Sequence, residues 1–416
     1  MPKILYFFKI VPIIFLFAWI SFFPEPVQGQ YFVAVRGIMA VFLAFFLLGK
    51  NRKIHLFSIA DWPLWLFLTS LSVNVFFAMN RDIAFNTYTY LVITFFLLFY
   101  IGKSIFNSSK DRMFIGMIIC TCACVIVFIG FLELHFGKNI LYEKFIDNPF
   151  YERYIRCDVR MMSTQFNPSV LASFILGCLP FCFYLAGAKT FFPRKLGIIS
   201  LILCVSGIIL GFSRGVFLGL IAMSVFYLWN AGKRKWLIAM LLGFILFISF
   251  CSFQKNTNIS RFGFHKMVYG YSDSIVSGYR LQRVEMALKM FKEQPFAGIG
   301  LNHFRLRFNE FCRAGDSGNE IYEFMIPDNM YLTFLAETGL IGTFGFLIFI
   351  FFLFKRGFKK MKEAHDKQAL LVPMSALAGL LANMGAYELF YWNNPYMLFC
   401  VICGFIYGAA MSESDA

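Results

Sequence analysis

Residues 330–354 read Met330-Tyr-Leu-Thr-Phe-Leu-Ala-Glu337-Thr-Gly339-Leu-Ile-Gly342-Thr-Phe-Gly-Phe-Leu-Ile-Phe-Ile-Phe-Phe-Leu-Phe354, with Glu337 the sole charge in the run. A helix of this length is long enough to cross the roughly 30 Å hydrocarbon layer of a bilayer. Comparable runs recur at 6–23, 31–48, 62–79, 85–102, 113–133, 168–188, 196–212, 215–231, 236–253, 369–386 and 395–411. The chain is therefore expected to be an all-α membrane protein with about twelve spanning helices. Composition agrees: 59% of its 416 residues are apolar and 57 are Phe, against about 45–50% apolar in soluble domains. Residues 4–23 lack an A-x-A cleavage site and read as the first span rather than a signal peptide.

The net charge of +15 is distributed as a topology signal and does not point to nucleic acid. Nearly all of it lies in the loops Lys50–Lys53, Lys103–Arg112, Lys189–Lys195, Lys233–Lys235 and Lys355–Lys367, with the termini. The positive-inside rule makes that face cytoplasmic, together with both termini. Two long segments then lie outside, 134–167 and 254–329. Long loops with structure of their own tend to carry function. Three regions follow: an N-terminal bundle of about five helices over 1–150, a central region over 151–350 that includes the loop 254–329, and C-terminal helices over 351–416.

Inside the second loop, Leu281, Val284, Ala287, Leu288 and Phe291 recur at helical spacing, ended by Pro295, Gly298 and Gly300. Arg280 lies over that stripe and should point toward the body on which the helix packs. Most of the 11 cysteines fall within spans, where they act as small hydrophobes. Cys157 and Cys312 fall outside, where a disulfide between them is chemically permitted. The five histidines His55, His135, His265, His303 and His365 lack the i+3 or i+4 partners of a metal site and read as loop residues. No metal or cofactor is expected.

The candidate chemistry lies in outer arginines and carboxylates. Arg214, in Gly211-Phe-Ser-Arg214-Gly215, sits between two spans. It is either a snorkelling anchor or a partner for phosphate or carboxylate. Arg156, Arg160, Arg280 and Arg283 are further outer cations. Asp328 stands at the lip of the 330–354 run, followed by Asn329. Either a helix cap or a reactive carboxylate suits the Asp328-Asn329 position. Leu335, Gly339 and Gly342 lie beneath it on one face, offering close helix packing. Glu337 projects about 180° away and is not expected to share its site. Glu388 is a second carboxylate, beside Tyr387, Tyr391 and Trp392, whose rings serve as interface anchors or sugar-stacking surfaces.

Four segments together resemble the O-antigen ligase family, whose domain is shared by some O-antigen polymerases. They are Arg160-Met-Met-Ser-Thr-Gln-Phe166-Asn167-Pro168 running on to Ala172 and Pro180, the Ser213-Arg214-Gly215 turn, Gly278-Tyr-Arg280 with Pro295-Phe-Ala-Gly298-Ile-Gly300, and Asn329 followed after nine residues by Gly339-Leu-Ile-Gly342-Thr343. The resemblance spans about residues 150–350. It implies a GT-C-like fold in a bacterial inner membrane, with a periplasmic active site. It implies an inverting, metal-independent transfer of a glycan from undecaprenyl pyrophosphate to lipid A–core or to another glycan, among membrane lipids. Arg214 and Arg280 would hold the pyrophosphate, with Arg160, Arg156 and Arg283 nearby. Asp328 would orient or deprotonate the acceptor hydroxyl, with Asn329 and Glu388 beside it. Where the ligases carry histidine, this chain carries Asp328. A polymerase is the alternative within the family; a polysaccharide-lipid flippase or secondary transporter is the alternative of another class.

Overall fold

The computed structural model describes residues 2–22, 36–38, 40–41, 61–106, 108–137, 161–165, 167–211, 213–240, 242–243, 274–311, 327–364 and 366–411. Its bounded helices are α1 (Pro2–Phe22), α2 (Trp62–Phe77), α3 (Arg81–Ile105), α4 (Ser109–Phe136), α5 (Pro168–Ala186), α6 (Phe191–Gly211), α7 (Arg214–Asn230), α8 (Ser274–Glu293), α9 (Phe304–Phe311), α10 (Met330–Glu363), α11 (Gln368–Met384) and α12 (Asn393–Met411). Short 3-10 turns occur at Ser163–Gln165 and Leu389–Tyr391. No strand occurs among the described residues. By length and apolarity, α3, α4, α5, α6 and α10 each suffice to cross a membrane, and α2 and α11 are shorter apolar helices. The predicted spans 31–48 and 236–253 lie largely outside the described residues.

The helices pack in pairs: α3 on α12, α5 on α6, α7 on α11, and α2 on α10. Without water to drive apolar faces together, helices in lipid associate through close packing. A Cβ on Gly102 would stand 2.6 Å from the Val401 carbonyl, so α3 and α12 touch backbone to backbone. The abundant phenylalanines fill the space between α2, α3, α10 and α12. Phe67 stacks on Phe349 at 5.9 Å, Phe334 on Phe346 at 5.1 Å, and Phe390 tilts over Phe399 at 5.1 Å. At the predicted inner end, two charges read as topology signals are tied into the bundle. Buried Lys103 pairs with buried Asp61 at 2.8 Å, and Arg112 pairs with Asp366 at 3.0 Å.

At Gly339, α10 breaks, with φ 61° and ψ −161°. This differs from the expected role of Gly339 in helix packing. The break frees backbone groups, and the chain after α8 fills it. Leu340 N–H donates to the Pro295 carbonyl at 2.8 Å and Ile341 N–H to the Phe296 carbonyl at 3.1 Å. In return, Ile299 and Gly300 donate to the Ala336 and Glu337 carbonyls, each at 3.1 Å. Asn74 of α2 closes the joint: its Nδ2 donates to the Ala297 carbonyl at 2.7 Å and also to the Glu337 carbonyl, while its Oδ1 accepts from Leu301 N–H at 2.7 Å. Irregular backbone at membrane depth is tolerated only where such partners exist.

The face that α8 buries also differs from expectation. Met286, Ala287 and Met290 pack with Ile299, Phe304, Phe308 and Ala336, whereas Leu281 and Leu288 are exposed. Flexible methionines fill the irregular seam beside the broken helix.

Two outcomes are expected. Gly339→Ala places a side chain at positive φ against the Phe296 backbone. Strain of this kind costs about 1–3 kcal/mol before the clash is counted, so the detergent-solubilised variant should melt at a clearly lower temperature. Asn74→Ala leaves the Leu301 N–H without its acceptor and should destabilise by about 1–3 kcal/mol or more, read in the same melting experiment. An unchanged melting temperature in both would mean that this joint does not support the bundle.

Candidate functional site

The lip of α10 is built by its cap. Asn329 is extended, and its side-chain oxygen accepts from Tyr331 N–H at 3.0 Å and Leu332 N–H at 3.2 Å. Asn329 therefore caps the helix, and Asp328 is released from that task. Asp328 adopts φ 52°, a left-handed conformation that Asp tolerates better than most residues. Its carboxylate turns to α8 and forms an ion pair with the Arg283 guanidinium. The long outer helix is thereby tied to the start of α10.

About two turns deeper lies Glu337. The structure gives it a larger part than the sequence does. Buried at 2% exposure, it accepts from Asn302 N–H at 3.0 Å, from Phe304 N–H at 2.9 Å and from the Tyr391 hydroxyl. It thus satisfies amides at the N-terminus of α9 and joins that helix to the 3-10 turn of the last loop. His303 beside it is buried, and its Nε2 accepts from Asn80 N–H at 3.0 Å. Burial lowers its pKa, which keeps the neutral acceptor form.

Glu388, before that turn, is 1% exposed. Its Oε1 accepts from the Thr333 hydroxyl at 2.8 Å, while its Oε2 is buried without a partner. Burial first, with the negative charges of Asp328 and Glu337, pushes its pKa up to about 8 against the opposing pull of Thr333 and Arg305. Unpaired buried carboxylates of this kind mark functional sites more often than chance. Asp328, Glu337 and Glu388 thus meet at the outer end of α10, each in a different environment.

The arginine side of the site is assembled by backbone. Asn167 caps α5, its Oδ1 accepting from Ser169 N–H at 2.8 Å, with Pro168 at the first helical position. Met161, next to Arg160, donates from its N–H to the Leu210 carbonyl at 3.2 Å. The 161–169 entry therefore lies against the end of α6, where the chain turns to Arg214. Arg214 opens α7, and a Cβ on Gly215 would stand 2.8 Å from Ala386 and 3.2 Å from Asn383 Oδ1 of α11. Tyr331, near the start of α10, donates its hydroxyl to the Leu381 carbonyl of α11 at 2.7 Å. The outer end of α11 and the following loop, residues 381–392, thus touch both the Arg214 turn and the α10 lip. Arg280 lies within α8, one turn before Arg283. The side chains of Arg214 and Arg280, and all of Arg156, Arg160, Cys157 and Cys312, lie outside the described residues.

Among the described residues, no cluster of His, Cys, Asp or Glu has the geometry of a metal site. The sequence reading passes over Asn74, and it names Glu337 and Tyr391 without the hydrogen-bonded roles they have here. A lone Glu in an apolar run was a signal for Glu337. Nothing in the sequence tied Asn74 or Tyr391 to it.

No curated protein matches the chain. Residues 199–347, from within α6 through the break in α10, match the family model described as O-antigen ligase, and over this region the chain is similar to that family.

Proposed function

We propose that the protein is a glycosyltransferase of the bacterial inner membrane that moves a glycan from undecaprenyl pyrophosphate to an acceptor hydroxyl at the periplasmic face. The match of residues 199–347 carries this reading. The contacts of the Arg214 turn and the start of α10 with residues 381–386, and of α8 with the α10 lip, support it. The donor's lipid tail lies in the bilayer and its pyrophosphate at the outer surface. Arg214 and Arg280 hold the diphosphate and stabilise its charge as it leaves, with Arg160, Arg156 and Arg283 as further cations for the donor. The acceptor approaches from the opposite face of the sugar, so the anomeric configuration inverts. Asp328 and Glu388 serve the acceptor side, and Asn329 fixes the lip between them. The arginines supply the positive charge, so the transfer needs no metal.

Lipid A–core is the acceptor of a ligase, and a second repeat unit that of a polymerase. Asp328 in the place of the ligases' histidine favours keeping the polymerase reading. The filled interior, with phenylalanine rings between α2, α3, α10 and α12, speaks for transfer at the outer end and against a flippase or transporter, which needs a polar path through the bundle.

Arg214→Ala and Arg280→Ala should each lower glycan transfer about 100-fold or more, the usual cost of removing one charge-stabilising donor, with little change in the level of folded protein. The check is the ladder of surface glycan on a gel, in one host lacking its ligase and one lacking its polymerase. Rescue in the first host marks a ligase and rescue in the second alone marks a polymerase. Rescue that survives both substitutions would overturn the assignment.

A further inference from the structure

Three carboxylates meet at the outer end of α10, and the structure gives two of them other duties. Asp328 is held by the Arg283 guanidinium. Glu337 is consumed by the Asn302 and Phe304 amides and the Tyr391 hydroxyl. Glu388 alone keeps a buried oxygen, Oε2, with no partner. Its other oxygen is fixed by Thr333, one turn below the Asn329 cap. The carboxyl is thus anchored at one atom and open at the other.

We infer that Glu388, and not Asp328, takes the proton of the acceptor hydroxyl, while Asp328 holds α8 in place through Arg283. The inference rests on the proposed function. In the step, the acceptor O–H bond breaks and its proton passes to Glu388 Oε2. The acceptor oxygen bonds to the anomeric carbon. The bond from that carbon to the pyrophosphate oxygen breaks, and its electron pair leaves with the diphosphate.

Asp328 is a poor candidate for the same work. An ordinary Asp ionises near about 3.9 and is a weak base at neutral pH. Its carboxylate is already engaged by the Arg283 guanidinium. Glu388 has the opposite setting. Thr333 and Glu337 face it from α10, Asp328 from the lip, Arg305 from α9 and Tyr391 from its own turn. Its burial, reinforced by two carboxylates, matches its basicity to neutral or mildly alkaline pH.

The test uses the full-length purified protein in nanodiscs. The donor is the undecaprenyl-pyrophosphate glycan pool extracted from a strain of the same bacterium lacking this gene, with that strain's own membranes supplying the acceptor. Transfer is measured from pH 5.5 to 9.5. Wild type should rise about tenfold per pH unit and level off near pH 8. Glu388→Gln should lose about 100-fold or more and show no rising limb, and Glu388→Asp should recover part of the rate with a displaced limb. Asp328→Asn should lower the rate yet keep the limb. A rising limb that persists in Glu388→Gln, or disappears in Asp328→Asn, would overturn the assignment.

Folding is read separately by melting. Burial raises the Glu388 pKa above its unfolded value, so the stability it contributes is present at low pH and is lost as pH rises through about 8. Glu388→Gln should therefore melt no lower than wild type at pH 9. If it melts lower, the profiles of Glu388→Asp and Asp328→Asn still decide. Absence of wild-type transfer from the donor pool would strike the proposed function itself, and this inference with it.

Discussion

The end of the bundle at which α10 begins depends on the break in that helix at Gly339. A continuous helix would satisfy its own amides and leave the preceding loop to water. The broken one exposes donors at Leu340 and Ile341 and acceptors at Ala336 and Glu337, and residues 295–300 are laid into the gap. Each unsatisfied group in a water-poor environment costs several kcal/mol, so the loop's position is enforced by the same bonds that make the break tolerable. Gly298, at φ +71°, is needed because a Cβ there would collide with the α10 backbone. The break and the loop therefore form a single unit, and α8 and α9 take their places from it.

From that joint the electrostatics of the lip follow. Holding the 302–304 turn against α10 brings amides to Glu337, so that a carboxylate within the bundle finds donors. Tyr391 completes the set and draws in the last loop. Glu388 is then fixed against Thr333 in a volume from which water is excluded, facing two other carboxylates. Like charges in a desolvated space cannot all ionise freely. Arg283 pairs with Asp328, the Asn302 and Phe304 amides hydrogen-bond Glu337, and Glu388 keeps one oxygen without a partner.

The spans were legible because lipid imposes length and apolarity, and these survive in any single sequence. The predicted spans at 113–133 and 168–188 fall within or nearly coincide with α4 and α5. The arginines stand out in the sequence as charges beside apolar runs, while the side chains of Arg214 and Arg280 and all of Arg156 and Arg160 lie outside the described residues. Two features were not legible. The Gly339 break looks like a packing glycine until the loop that fills it is known, because the deciding bonds join residues about forty apart. The buried face of α8 was misjudged because Met286 and Met290 were left out of the apolar stripe, although their thioethers pack as well as leucine. Asn74 illustrates the same limit: its partners lie more than two hundred residues away.

The resemblance to the ligases puts Asp328 where they carry histidine, and its neighbours supply a physical reason for an aspartate there. A histidine at this lip would be neutral or cationic and could not balance Arg283, whose guanidinium is only partly exposed and reaches the lip from α8. An aspartate neutralises that arginine and ties the outer helix to the start of α10, while the Asn329 cap leaves its side chain free to do so. Under the proposed function the proton acceptor then lies one layer deeper, at Glu388, where desolvation raises the basicity of a carboxyl. On that reading the pairing of Asp328 with Arg283 and the burial of Glu388 are two halves of one compensation.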